Sequence, residues 1–455
     1  MASQPRLLTD EEMQAFIVNG FVSLQTDFPA QFHAEICRQA TDIFDRTGNP
    51  YNDIYPLIPQ LGDVFGHPMV HGALTSILGP NYIMHPHRHC HLTPPGKQPQ
   101  NYHKDSYEED ENVHHHRTRW AMAFYYPQDV PVELGPTAVR PATQYYNTQS
   151  QAEEESERLL VGGAGTITLV HYDLWHRASA NFSNRGRFMM KFLFCRMEEP
   201  QSPSWASSGA PWRTTSGATE PRHQHEGLWR HLWDWHCGHP GSQASQNAMG
   251  ERTINDWVHA LYDKAEAVRL DAGYALGRVG ASAVPALIEA LEQEAQASLA
   301  ANLSAKYTNP SELHAGYALA AVGAPAVPAL VDALTHPEWS VRASAADILG
   351  DIGLPAATAV PALSRQLEDE SSWVRRNAAE ALGTIGVRAA GAASALAQTL
   401  RHDKNERVRH NAALALARMG GAAREAAPAL QAALADENYY VKANSAIALQ
   451  RVAAA

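Results

Sequence analysis

Residues 101–120, NYHKDSYEEDENVHHHRTRW, place four histidines and five acids within twenty positions. His103-Lys104-Asp105 sets an imidazole and a carboxylate two residues apart, so on an extended strand both point to one face. Two ligands of one small metal ion need that spacing. The triplet alone is a weak signal, because 23 histidines among 455 residues produce about one such triplet by chance. The chain has a second, His171-Tyr172-Asp173. The position of a third ligand separates the two pairs. His176 stands downstream of the first pair at a strand-to-strand interval, but it is too near the second, and the next histidine is His223.

His103, Asp105 and His176 together make a 2-His-1-carboxylate triad, which leaves three positions open on a non-haem Fe(II) ion. Two of these suit the keto and C1 carboxylate oxygens of 2-oxoglutarate. The far carboxylate of that molecule needs a fixed cation. Arg187, eleven residues past His176, offers a planar fork of donors. Two other readings stay open on residue types alone. His171 and Asp173 would serve as the pair if the first triplet were incidental. The same ligands also suit a zinc ion held for hydrolysis.

Other clusters have plainer readings. His85, His87, His89 and His91 alternate along HPHRHCH, which puts four imidazoles on one strand face, lining a barrel mouth or packing among aromatics, with a second metal as the alternative. His114, His115 and His116 are expected on a solvated loop. The run Glu108-Glu109-Asp110-Glu111 reads as a solvated face; if it overhung the site it would favour a cationic substrate. Cys37, Cys90, Cys195 and Cys237 show no paired spacing and read as free thiols of a reducing compartment.

The elements that must position these groups fall into two halves. Thr9-Asp10-Glu11-Glu12 is a capping box before an amphipathic run that stops at Asn19-Gly20. IMHPHRHCH, WAMAFYY, GTITLV and RFMMKFLFC then read as strands between Gly and Pro turns, which suggests a sheet sandwich or barrel over residues 1–198. Residues 199–251 form a loop-rich segment with five tryptophans, of which Trp229, Trp233 and Trp235 at helical spacing are expected to dock it onto a domain. From residue 252 to 455 the chain is periodic. VRASAADILGDIG, VRRNAAEALGTIG, VRHNAALALARMG and VKANSAIALQRV begin at Val341, Val374, Val408 and Val441, in steps of 33, 34 and 33 residues. Gly after each first run fits a helix C-cap and Pro inside the second fits a first helical turn, so each unit is a helical hairpin and the stack an all-α solenoid. The Val-Arg or Val-Lys opening each unit is expected to be a structural pair rather than a binding code.

The net charge of −12 argues against broad nucleic-acid binding. Neither a signal peptide nor a span of about eighteen apolar residues is recognisable, so a cytoplasmic protein is expected.

The first half resembles the phytanoyl-CoA dioxygenase family of Fe(II)/2-oxoglutarate oxygenases. The resemblance is carried by LTDEEMQAFIVNGFVSL, HKD, GPTAVRPATQ and WHRASANFSNRGR, across nearly all of residues 8–197. It implies a double-stranded β-helix (jelly-roll), with His103, Asp105 and His176 as iron ligands and Arg187 binding 2-oxoglutarate. Trp120 falls where the family often has a Trp lining the cosubstrate site. With a carboxylate at 105, the resemblance implies hydroxylation of an aliphatic C–H rather than halogenation. This chain departs from the family at Pro141-Ala142-Thr143-Gln144, where Pro-Gly-Ser-His is usual, at Thr166 after Gly165, where Asp is usual, and at Ala178, where Ser is frequent. The second half resembles HEAT repeats, the alanine-rich kind found beside phycobilin lyases. A scaffold with a degenerate oxygenase domain is the rival reading, and a peptide or carrier-bound substrate docked on the repeats lies between the two.

Overall fold

The structure, a computed structural model, describes residues 4–105, 115–213, 221–239, 252–301 and 313–454. The acidic run 108–111 and His114 lie outside them. Counting described residues only, one compact unit spans 1–106, 118–196 and 202–224, and the other 107–117, 197–201 and 225–455. No single helix among the described residues is long and apolar enough to cross a membrane.

The first unit is built on eight strands: Phe21–Gln25 (β1), Ile83–Thr93 (β2), Trp120–Tyr125 (β3), Thr137–Val139 (β4), Arg158–Leu159 (β5), Thr166–His171 (β6), His176–Ala178 (β7) and Arg187–Cys195 (β8). A five-stranded sheet runs β1-β6-β3-β8-β2 and a three-stranded sheet runs β5-β4-β7. All pairings are antiparallel. This is the sheet-rich architecture expected of the first half. RFMMKFLFC is buried at every position because both faces of β8 are covered. Phe188, Phe192 and Phe194 meet aromatic rings of the flanking helical segments, including Phe44 and Phe65. Arg187, Met189 and Lys191 alternate with them on the opposite face.

The helix Asp10–Asn19 starts at the expected capping box, with both reciprocal bonds of Thr9 and Glu12 present. It ends at Gly20, φ 77°, where a Cβ would sit 2.5 Å from the Gln144 side chain. Gln144 donates to the carbonyls of Ile17 and Val18 at 3.0 and 3.3 Å, so the departure at 141–144 supplies a cap for this helix. Ala142, just before, holds φ 67°, a left-handed conformation that explains why Gly is usual there.

The Trp-rich segment is not one linker. Trp205 belongs to the first unit and donates its indole N–H to Asp10 at 2.6 Å. Trp229, Trp233 and Trp235 lie on the helix Glu226–His236, buried within the second unit.

That second unit continues as paired helices, including Trp339–Ile352, Ser372–Ile385, Glu406–Met419 and Tyr439–Ala453 in the first position of each repeat. Gly383 lets two of them close up: a Cβ there would stand 2.8 Å from Ala415 Cα. The Val-Arg pairs are structural. Val341, Val374 and Val408 are fully buried. Arg342, Arg375 and Arg409 each grip the Asp of the following turn, Asp369, Asp403 and Asp436, through Nε and Nη2 at 2.6–3.1 Å.

His115 and His116 are buried within this second unit rather than solvated. His115 Nε2 lies 3.1 Å from Asp347 Oδ1, and His116 Nδ1 lies 2.7 Å from the Tyr274 hydroxyl. Two carboxylates and two tyrosine rings give these imidazoles better surroundings than water does.

Candidate metal centre and cosubstrate cleft

His103 and His176 sit opposite each other in a two-residue antiparallel bridge, each N–H donating to the other's carbonyl at 3.0 Å. The bridge turns both imidazoles to one side, with ring centroids 4.6 Å apart. Asp105, two residues on, brings Oδ2 to 3.5 Å from His176 Nε2. One ligand atom from each of the three lies within 4.8 Å of the other two.

The backbone sets the ring orientation. His103 Nδ1 is 3.0 Å from the Asn101 carbonyl, and His176 Nδ1 is 2.9 Å from that of Leu174. A carbonyl accepts only from N–H, so each ring carries its proton on Nδ1 and keeps the Nε2 lone pair for a metal. Burial pushes His176 down to about 4, against the pull of Asp105, and so keeps the imidazole neutral, as ligation requires. Burial alone would raise the Asp105 carboxyl, but Lys191, His176 and His103 outweigh it and hold the group well below the ordinary range. Two imidazoles tied through Nδ1 to the backbone and a carboxylate on one face fit a divalent metal ion.

Arg187 opens β8 and is 1% exposed. Its Nη2 donates to Thr93 Oγ1 at 2.6 Å, its Nη1 to Thr137 Oγ1 at 3.4 Å, and its carbon centre lies 5.8 Å from the Tyr126 ring centroid. Among the described residues Nε finds no acceptor and no carboxylate pairs with the guanidinium. Burial lowers its pKa. A cation taken out of water without a counter-charge is costly, so the position fits an anion that is supplied from outside.

The triad and Arg187 line one cavity enclosing about 570 Å³, its solvent-open part included. Ala178 lines it as well. Trp120 does not: its ring packs edge-on to His85 with centroids 5.1 Å apart, and the family position is here a core contact.

The other candidates resolve differently. His171 Nδ1 accepts from the Asp173 backbone N–H at 3.2 Å, and Asp173 Oδ1 lies 3.5 Å from Lys104 Nζ. That triplet is a turn with a buried ion pair. Among the described residues only His103, Asp105 and His176 form a group able to hold a metal. The four-histidine face on β2 is interrupted, because pairing with β8 slips between Met84 and Arg88, around Pro86, which has no N–H to give the ladder. His85 turns to Trp120, while His89 and His91 pack with centroids 4.1 Å apart and His91 reaches the cavity.

Residue types alone missed three contributors. Thr93 and Thr137, which hold Arg187, look like ordinary strand threonines. Lys191 sits inside an apolar run, and its Nζ donates to Asp105 Oδ2 at 2.8 Å. Its separation of four from Arg187 was the available signal, since both must then share a face.

Similar folds occur among solved structures. SnoK, a non-heme alpha ketoglutarate dependent carbocyclase from nogalamycin biosynthesis, is 15% identical with a TM-score of 0.38, covering 43% of this chain and 88% of its own. EctD from S. alaskensis, solved with 2-oxoglutarate and 5-hydroxyectoine, is 16% identical with a TM-score of 0.37, covering 47% and 90%. No curated protein matches the chain. Residues 327–417 and 360–450 match the HEAT repeats model, and residues 268–293 that of the PBS lyase HEAT-like repeat. Residues 31–189 match the phytanoyl-CoA dioxygenase model, and so enclose the triad and Arg187. The chain thus joins a domain of the phytanoyl-CoA dioxygenase family to a series of HEAT repeats.

Proposed function

We propose that the protein is an Fe(II)- and 2-oxoglutarate-dependent dioxygenase that hydroxylates an aliphatic C–H bond of its substrate. The observation that carries this reading is Arg187, a buried guanidinium with no counter-anion among the described residues, lining the same cavity as two imidazoles and a carboxylate. A metal alone would not require that cation, and a dicarboxylate that also chelates the metal would.

His103, Asp105 and His176 would hold Fe(II), and three ligands of this kind would leave room for 2-oxoglutarate and dioxygen. When bound, the metal lets 2-oxoglutarate and dioxygen become succinate and carbon dioxide, with one oxygen atom entering the substrate as a hydroxyl. Thr93 and Thr137 aim the Arg187 fork at the far carboxylate. The backbone carbonyls of Asn101 and Leu174 keep the Nδ1 protons in place, so neither ligand ring can turn over.

The test is oxygen-dependent conversion of 2-oxoglutarate to succinate by the iron-loaded full chain, compared with Asp105→Ala. Slow succinate formation that disappears in the variant is expected. Equal rates in the two proteins would overturn the reading.

A further inference from the structure

The cavity carries more positive charge than the metal and 2-oxoglutarate account for. Among the described residues four cations line it, Lys97, Arg177, Arg187 and Lys191, against one acid, Asp105. Arg177 is answered from outside the lining by Glu157 at 2.6 Å. Arg187 is reserved for the cosubstrate. Lys97 is exposed and, among the described residues, meets no carboxylate. Lys191 is only 7% exposed, and its sole carboxylate partner among the described residues is Asp105, at 2.8 Å.

That partner is a proposed metal ligand. Once a divalent cation takes the Asp105 charge, Lys191 is left as a buried ammonium beside a second positive centre. Of the β2 histidines, His89 is paired in register with Lys191, and an imidazole carries no negative charge in either protonation state, so it cannot answer the ammonium. Lys191 also stands four residues along β8 from Arg187 on the same face, a backbone separation of about 13 Å. The carboxylate clamped at Arg187 therefore does not neutralise it, and the carboxylate that the same molecule would give the metal is balanced by the metal.

We infer that the substrate carries an anionic group, a carboxylate or a phosphate, that docks on Lys191 close to the reacting C–H, with Lys97 at the cavity mouth adding to the attraction. This inference rests on the oxygenase reading and narrows its substrate class. The acidic run 108–111, which would favour a cationic substrate if it overhung the site, lies outside the described residues.

The experiment uses the full chain loaded with Fe(II), held anaerobically and saturated with 2-oxoglutarate, so that Arg187 is already occupied. Inorganic phosphate, butyrate and butylamine are titrated in turn by calorimetry into the wild type, Lys191→Met and Lys191→Arg. At least one of the two anions should bind saturably to the wild type and butylamine should not; which anion wins distinguishes phosphate from carboxylate. Lys191→Met should weaken that binding by about tenfold or more, and Lys191→Arg should restore most of it. Equal anion affinity in the wild type and Lys191→Met, or butylamine binding better than butyrate, overturns the inference. Iron content and 2-oxoglutarate affinity of the same wild-type sample report separately on the oxygenase reading. If those fail, the premise that a metal takes the Asp105 charge fails with them, and the inference is overturned together with the oxygenase reading.

Discussion

Thr93 Oγ1 accepts a hydrogen bond from Arg187 Nη2 at 2.6 Å, across the pair that joins the end of β2 to the start of β8. The hydroxyl orients a guanidinium whose Nε has no acceptor among the described residues. Thr93→Val should weaken 2-oxoglutarate binding by about threefold to tenfold, the net value of one ordinary hydrogen bond, because the threonine acts only through Arg187. Arg187→Met should weaken it by tens to hundreds of fold, yet leave the unliganded protein as stable or more stable, because a buried cation without a counter-charge is removed. Thermal unfolding with and without 2-oxoglutarate separates the two effects. A large loss of stability in unliganded Arg187→Met would show that the guanidinium is already neutralised in the protein.

Ala142 bears a backbone cost at φ 67° that glycine would not. Ala142→Gly is expected to stabilise the first unit by about 1 kcal/mol, read as a higher denaturant midpoint at unchanged slope. A lower midpoint would mean that the Ala142 methyl contributes more through packing than its conformation costs.

The arginine ladder of the repeats is predicted to be energetically real. Arg375 meets Asp403 at 2.6 and 3.0 Å with both side chains largely covered. A double-mutant cycle with Arg375→Met and Asp403→Asn should give a coupling of about 1–2 kcal/mol, above the usual value for exposed pairs. Additive single effects would reduce the ladder to a geometric by-product of the repeat.

His115 makes the stability of the second unit depend on pH. Burial opposes its charge, but Asp347 and Asp351 prevail and lift it from 6.5 to about 9. A group with its pKa raised on folding stabilises fully below its unfolded value, and the contribution fades as pH climbs through the folded one. Stability relative to His115→Gln should therefore be greatest below about pH 6.5 and shrink between about pH 6.5 and 9. Chemical denaturation of both proteins at several pH values reads this directly, and a constant difference across that window would contradict it. A chain ending near residue 250 lacks Asp347 and Asp351 altogether, so His115 would lose its partners there.

Much of this was legible in residue order. The 33–34-residue period foretold the repeats, and the capping box placed the first helix to the residue. The His-x-Asp spacing, read with the distant His176, pointed to the group that could hold a metal among the described residues. What stayed hidden depends on contacts far apart in sequence. Lys191 looked like an interruption in an apolar strand until β8 was paired with its neighbours. The β2 histidines looked like one face because a register slip at Pro86 leaves little trace in an alternating pattern. His115 looked like part of a charged loop because the carboxylate it meets lies 232 residues away.

The central claim is that one Fe(II) is held by His103, Asp105 and His176 with 2-oxoglutarate anchored on Arg187. Anaerobic 2-oxoglutarate binding to the iron-loaded full chain, measured beside iron content, tests it most directly. The wild type should hold about one iron per chain and bind 2-oxoglutarate. His103→Ala should lose both, His171→Ala should keep both, and Arg187→Ala should keep the iron while losing most of the 2-oxoglutarate affinity. Iron retained in His103→Ala but lost in His171→Ala, or 2-oxoglutarate bound equally well by Arg187→Ala, would contradict the account.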